Sequence, residues 1–151
     1  VWKQAFGGRT CPRRCESGPM SHAIKEATCQ QALAALGDRD SVVIDVRCQE
    51  EYALYGQIAG AHFIPWKLIR DDALVDNQHF RCELENAVSN CKGIGAFKLY
   101  FICGSGNRSC DAAECALDML GDDSCEVYNV VGGIEEWVCS GLPTSPAALS
   151  A

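Results

Sequence analysis

The chain reads as an α/β domain, with a mostly parallel five-stranded sheet and helices on both of its faces. Three observations predict this. Runs such as "SVVIDV" (41–46) and "KLYFI" (98–102) are rich in β-branched or aromatic residues and lack the alternation of a strand with one wet face. Segments with helical spacing separate them, and Gly or Pro punctuates the junctions. Strands joined through helices form βαβ units, which build parallel sheets covered on both sides.

In chain order, "AIKEATCQQALAALG" has a short apolar start and continues as a helix. Thr28 and Gln31 stand at capping-box spacing, and Gly37 is its stop. The strand 41–46 follows, then "CQEEYALYG", a short helix ended by Gly56, and "AHFIP", a brief strand halted by Pro65. In "FRCELENAVSNC" (80–91), Phe80, Leu84, Ala87 and Val88 share one helical face. After the strand 98–102, "SCDAAECALDMLG" (109–121) reads as a helix stopped by Gly121. "EVYNV" (126–130) is a further strand, and "GGIEEWVCSGLP" a last short helix ending near Gly141 and Pro143. No element is assigned to 67–79.

A length of 151 residues fits one domain. Residues 1–20, rich in Gly, Pro and Arg, read as a disordered arm with Met20 as a candidate start; 21–145 read as the domain and 146–151 as a disordered tail. No window approaches the roughly 18 to 20 apolar residues of a membrane helix, and the first twenty residues lack a signal-peptide core. The net charge is −7, with +3 on residues 1–20 and −10 on the rest. An acidic body argues against nucleic acid or an anionic membrane as partner. Eleven cysteines without a secretion signal predict reduced thiols in a cytoplasmic protein. Cys11 and Cys15 in "CPRRC" lack the second ligand pair that a zinc site usually needs, so no metal is expected.

In α/β sheets, ligands bind at the carboxyl ends of strands. Two candidate sites lie there, Asp45 to Arg47 and Cys103 to Ser109. A thiol reacts as thiolate, and the positive end of a helix dipole favours that form. Arg108 adds a permanent positive charge. Gly104 and Gly106 permit backbone angles that turn successive N–H groups inward as an anion nest. Ser105, Asn107 and Ser109 offer further donors, with Ser109 as helix N-cap. From physics alone this cup suits either a nucleophile or an inert thiol at a strand end.

"CGSGNRS" after a parallel strand resembles the active-site loop of the rhodanese (sulfurtransferase) superfamily, in particular the single-domain rhodaneses. "VVIDVRCQEEY" is similar to that family's Asp-x-Arg-x-x-x-Glu-Tyr segment through Asp45, Arg47, Glu51 and Tyr52. "YGQIAGAHFIP" resembles its Gly-His-Ile-x-Gly-Ala segment, and "VVGGIEEWVCSGLP" its closing Gly-Gly, Trp and Gly-Leu-Pro. The four pieces cover about 22–144 in the family's order. The resemblance implies a rhodanese-like domain over 21–145 that acts without a cofactor. The Cys103 thiolate would take the outer sulfur of a small anionic donor, thiosulfate or 3-mercaptopyruvate, and carry it as a persulfide. Cyanide or a thiol, including a thioredoxin-like protein, would remove it. Cys103 and Arg108 are then the catalytic residues. Gly104, Ser105, Gly106, Asn107 and Ser109 would bind substrate.

Rhodanese-fold phosphatases place five residues between Cys and Arg. Here four intervene, a smaller ring suited to a single sulfur atom. A non-catalytic or sulfur-carrier module is the alternative, and a Cys-dependent phosphatase or arsenate reductase a third. Gln57 stands where the family often has His. Gly104 and Ser105 are neutral where thiosulfate-preferring enzymes often carry basic residues, which leaves the donor open. Arg47 could bind an anionic donor, but its expected place is in a pair with Glu51, while Asp45 braces the loop. His62 reads as a local packing residue, and Trp66 and Trp137 as packing at the core or edge. Cys110 and Cys115 lie on the helix after the loop, a resolving role for Cys110 would require the loop to open, and the remaining cysteines read as core or surface thiols.

Overall fold

β-Branched and aromatic residues in the two longest buried runs set the centre of the sheet. In the computed structural model, which describes residues 24–89, 96–120 and 125–146, these runs are β2 (Ser41–Asp45) and β6 (Phe97–Ile102). They pair in parallel, with Ile44 opposite Phe101 and Asp45 opposite Ile102. β7 (Cys125–Val130) lies on the far side of β6, β1 (Lys25–Ala27) beyond it, and β3 (His62–Phe63) flanks β2. The order is β1-β7-β6-β2-β3 and all five strands are parallel, which bears out the five-stranded, mostly parallel sheet that the sequence predicts.

The side-chain period of two sends each strand's residues to both faces. On one face Val42, Ile44, Val46, Leu99, Phe101 and Val127 pack against α3 (Phe80–Val88) and α4 (Asn107–Leu120) through Phe80, Leu84, Val88, Ala112 and Ala116. On the other, Val43, Tyr100, Ile102 and Val130 meet α1 (Cys29–Ala35) and α5 (Gly133–Cys139) through Ala32, Ala35, Ile134 and Trp137. Trp137 is fully buried and its indole N–H donates to the Pro143 carbonyl at 3.0 Å. Trp66 packs edge-on against Phe80. Thr28 and Gln31 make the reciprocal bonds of a capping box at the start of α1.

Two elements differ from the expectation. Residues 49–55 form a 3-10 turn (Gln49–Glu51) that runs into one short helix, α2 (Tyr52–Tyr55). Residues 67–76 form a hairpin, β4 (Lys67–Arg70) and β5 (Ala73–Asp76), where the sequence reading assigned nothing. Its two-residue turn holds Asp71 and Asp72 at φ of 50° and 61°, the positive angles of a twist-matched hairpin. The usual Asn-Gly signal is absent, so the turn does not announce itself.

Cys11, Cys15 and the arm expected over 1–20 lie outside the described residues, as do residues 147–151 of the expected tail. Among the described residues, no helix is long and apolar enough to cross a membrane, and no group of His, Cys, Asp or Glu is arranged to hold a metal ion. Gln57 bridges Ser145 through main-chain bonds and donates its side-chain amide to the Pro146 carbonyl, so that position holds residues 145 and 146. His62 is exposed.

Candidate active site

Parallel pairing of β2 with β6 brings both strand ends to one edge of the sheet. The Val46 N–H donates to the Ile102 carbonyl at 2.9 Å, so the chain leaves both strands side by side. Cys103 follows Ile102 directly and is 1% exposed. Gly106, at φ 107°, then turns the chain sharply enough for α4 to start at Asn107. Ser109 is therefore the third residue of the helix rather than its N-cap, and it is fully buried.

The sulfur has two close hydrogen-bond contacts among the described residues. The Gly106 N–H donates to Sγ at 3.0 Å, and Ser109 Oγ lies 3.2 Å away. Gly106 thus supplies one member of the expected nest of backbone donors. Ser105 and Asn107 are half-buried beside it, and Gly104 is buried. A side chain at Gly104 would meet Arg108 Nη2 at 3.0 Å and Glu51 Oε1 at 3.3 Å, so that space is already filled.

The Gly132–Gly133 pair holds the loop from behind. A Cβ on Gly133 would fall 2.4 Å from the Cys103 carbonyl oxygen and 2.5 Å from that of Gly104. Glycine there lets the start of α5 approach, and the Ile134 and Glu135 N–H groups donate to those two carbonyls at 2.8 and 3.2 Å. These are helix-start donors that have no partner within the helix.

Charge is arranged differently from the sequence expectation. Arg47 does not pair with Glu51. The chain after β2 folds Arg47 back on its own strand end, where Nε reaches Asp45 Oδ1 at 3.0 Å and Nη2 reaches Oδ2 at 2.7 Å. Nη2 also donates to the Gly56 carbonyl, and the guanidinium lies 4.5 Å from the Tyr52 ring centre. Arg47 is fully buried and presents no surface to a donor.

Glu51 instead takes Arg108, both guanidinium ends reaching its carboxylate at 2.7 Å. The 3-10 turn causes this: it places Glu51 over its own start, where Oε2 accepts the Cys48 N–H at 2.7 Å. Burial by itself would lower the affinity of Arg108 for its proton. The hydrogen bonds and charge of Glu51 outweigh it, and the pKa is raised. The guanidinium is permanently charged but already neutralised.

Two residues here escaped the sequence reading. Asn129 on β7 is buried; it accepts the Ser109 hydroxyl at 2.5 Å and donates to the Gly106 carbonyl at 3.1 Å. A polar residue between the apolar strand residues of "VYNV" was the available signal. Cys48 lies 4.0 Å from Arg108 Nη1 and donates its thiol to the Lys67 carbonyl. Cys103 and Cys48 are both free, whereas Cys110 is disulfide-bonded, against the expectation of reduced thiols throughout. Spacing along the sequence does not reveal such pairings.

Among solved structures, Rv0390 from M. tuberculosis is similar at 28% identity and a TM-score of 0.59, over 80% of this chain and 96% of its own. A Rhodopseudomonas palustris protein of unknown function, described as a possible tyrosine phosphatase, is similar at 25% identity and 0.54, over 81% and 85%. A thiosulfate sulfurtransferase from Pseudomonas aeruginosa shares the fold at 21% identity and 0.55, over 82% of this chain and 20% of its own. No curated protein matches the chain. A family model described as a rhodanese-like domain matches residues 28–139.

Proposed function

Because the chain belongs to the rhodanese-like domain family, we propose that it is a sulfurtransferase acting through a Cys103 persulfide. One observation carries the reading. A buried thiol at the end of a central strand accepts a backbone N–H, from Gly106, inside a loop with four residues between Cys103 and Arg108. An amide aimed at sulfur stabilises negative charge on it, as oxyanion-hole donors do on oxygen.

The Cys103 thiolate attacks the outer sulfur of a donor such as thiosulfate. A new S–S bond forms, the donor's own S–S bond breaks, and sulfite leaves with the electron pair. The terminal persulfide sulfur then carries the negative charge. Cyanide or a thiol, small or on a thioredoxin-like protein, attacks that sulfur and returns Cys103 as thiolate. This is covalent catalysis in two half-reactions.

Arg108 and Glu51 form the polar wall beside Gly104. In this reading the pair orients the loop and keeps the site close to neutral, so the donor binds by fit to the cup more than by net charge. Thiosulfate, 3-mercaptopyruvate and a protein persulfide all remain candidate donors.

The test is intact mass after incubation with thiosulfate and, separately, with 3-mercaptopyruvate. The expected result is a gain of one sulfur atom from at least one donor, lost in Cys103→Ser. No gain from either donor, or an equal gain in Cys103→Ser, overturns the reading. Cys103-dependent hydrolysis of an aryl phosphate in the same preparation would favour a phosphatase instead.

A further inference from the structure

Cys103, Ser109, Asn129 and Gly106 close a ring of hydrogen bonds. The Gly106 N–H donates to Cys103 Sγ, the Asn129 amide N–H to the Gly106 carbonyl, and the Ser109 hydroxyl to Asn129 Oδ1. The Asn129 amide has one sensible orientation, because its other end faces the Gly106 carbonyl, which only accepts. Its oxygen therefore points at Ser109. At 2.5 Å that contact needs the single Ser109 proton between the two oxygens. The Cys103–Ser109 contact of 3.2 Å then has one direction left, with the thiol donating to Ser109 Oγ. The ring as drawn describes a protonated sulfur.

An ionised sulfur reverses that requirement. It has no proton to give and needs donors, and the Ser109 hydroxyl is within reach. The hydroxyl has only one proton, so Asn129 and the sulfur compete for it.

We infer that Asn129 is a positioning residue for Cys103, acting through Ser109: by holding the hydroxyl proton it favours the resting thiol, and its release turns that proton onto the thiolate. The inference deepens the sulfur-transfer reading and rests on Cys103 being the nucleophile there. The fold places Asn129 for this. It lies opposite Phe101 in the β6–β7 pairing and two residues beyond Val127, which puts it on the α4 face of the sheet, where Ser109 sits.

Among the described residues, the other groups near the sulfur are the Arg108–Glu51 pair, the Cys48 thiol and backbone amides. From α4, Arg108 is positive and held by Glu51 of the 3-10 turn. From the end of β2, Cys48 lies against Arg108. From α5, the Ile134 N–H holds the Cys103 carbonyl, not its sulfur. The Ser109 hydroxyl is the mobile donor among them.

The test follows the rate of iodoacetamide alkylation of Cys103 against pH, read on the Cys103 peptide by mass spectrometry. No sulfur donor is present, so this result and persulfide formation can fail separately. Asn129→Leu, similar in shape but unable to accept, is expected to move the half-maximal pH down by about one unit. Ser109→Ala moves it up, and Asn129→Leu has no effect in the Ser109→Ala background. A residue that merely packs the loop would not show that dependence on Ser109. Asn129→Asp retains an acceptor for the hydroxyl and adds negative charge, so it moves the half-maximal pH up. If Asn129→Leu does not fold, Asn129→Asp is read with and without Ser109→Ala, and an unchanged or lowered half-maximal pH, or an upward shift just as large without Ser109, overturns the inference. So does an Asn129→Leu shift that persists without Ser109.

Discussion

Cys48 and Cys103 follow the ends of neighbouring strands, each is 1% exposed, and both interact electrostatically with Arg108. By composition and burial they are the same thiol. The backbone around them differs. Cys103 Sγ accepts an N–H from Gly106, whereas Cys48 Sγ donates to the Lys67 carbonyl. Burial, then the charge of Glu51, pushes Cys48 up to about 12, with Arg108 pulling the other way. Nearness to an arginine does not by itself make a reactive cysteine, because the arginine shared here is spent on Glu51. A backbone N–H 3.0 Å from the sulfur of Cys103, against an arginine N–H only at 4.0 Å from that of Cys48, is what separates the two sites.

The largest expected effect breaks that comparison outright. Cys103→Ser is expected to lose all persulfide formation from the productive donor, while Cys48→Ser retains most of it, both read by intact mass. Loss in Cys48→Ser with retention in Cys103→Ser would exchange the two roles. Next come the ion pairs at the two strand ends. Glu51→Gln removes the carboxylate that Arg108 reaches, and Asp45→Asn removes the one that Arg47 reaches. Removing one partner of a buried pair costs about 3 kcal/mol or more. Urea unfolding should show Asp45→Asn as the more damaging change, since Arg47 is fully buried and Arg108 retains a little solvent. Equal and small losses would mean that water reaches both pairs.

The sequence carried the sheet and the thiol because both are written locally. Unbroken apolar runs mark β2 and β6, and a Cys followed by glycines and a helix marks the loop. Partners set by tertiary register were not legible. Glu51 is 57 residues from Arg108 but only four from Arg47, so spacing favoured the wrong pair. Asn129 became visible as a partner of the loop only once β7 was placed beside β6. The β4–β5 hairpin turns on two aspartates at positive φ, an arrangement that propensity assigns to Asn or Gly. Ser109 reads as an N-cap by type, yet the tight turn at Gly106 starts the helix two residues before it.

A third prediction separates the glycines that shape the sulfur loop from those that only turn the chain. Gly133 and Gly141 both have positive φ, 60° and 73°. A side chain at Gly133 would collide with the Cys103 and Gly104 carbonyls, whereas one at Gly141 meets nothing within 4 Å. Gly133→Ala is expected to cost about 2 kcal/mol or more, from strain plus displacement of the loop. Gly141→Ala should cost about 1 kcal/mol, from backbone conformation alone. Thermal unfolding checks the ranking. Alkylation of Cys103 should change in Gly133→Ala and not in Gly141→Ala, and identical behaviour of the two would detach the glycine pair from the site.

The smallest effect tests the inert member of the two thiols. An unfolded thiol ionises near pH 9.0, while folded Cys48 is held neutral to about 12. Its contribution to stability is therefore complete below pH 9.0 and is lost as the pH rises toward 12, because the unfolded chain sheds a proton that the folded chain retains. Within that window Cys48 alone should account for about 1 kcal/mol of lost stability per pH unit. Cys29, raised to about 11 by burial and the charge of Glu136, adds a parallel loss that does not depend on Cys48. Cys48→Ala should reduce the fall in unfolding free energy between pH 8 and pH 10, measured in urea, and leave the share of Cys29 in place. An unchanged fall would mean that Cys48 ionises as readily folded as unfolded, and burial with the charge of Glu51 would then not be what keeps it from acting as a second nucleophile.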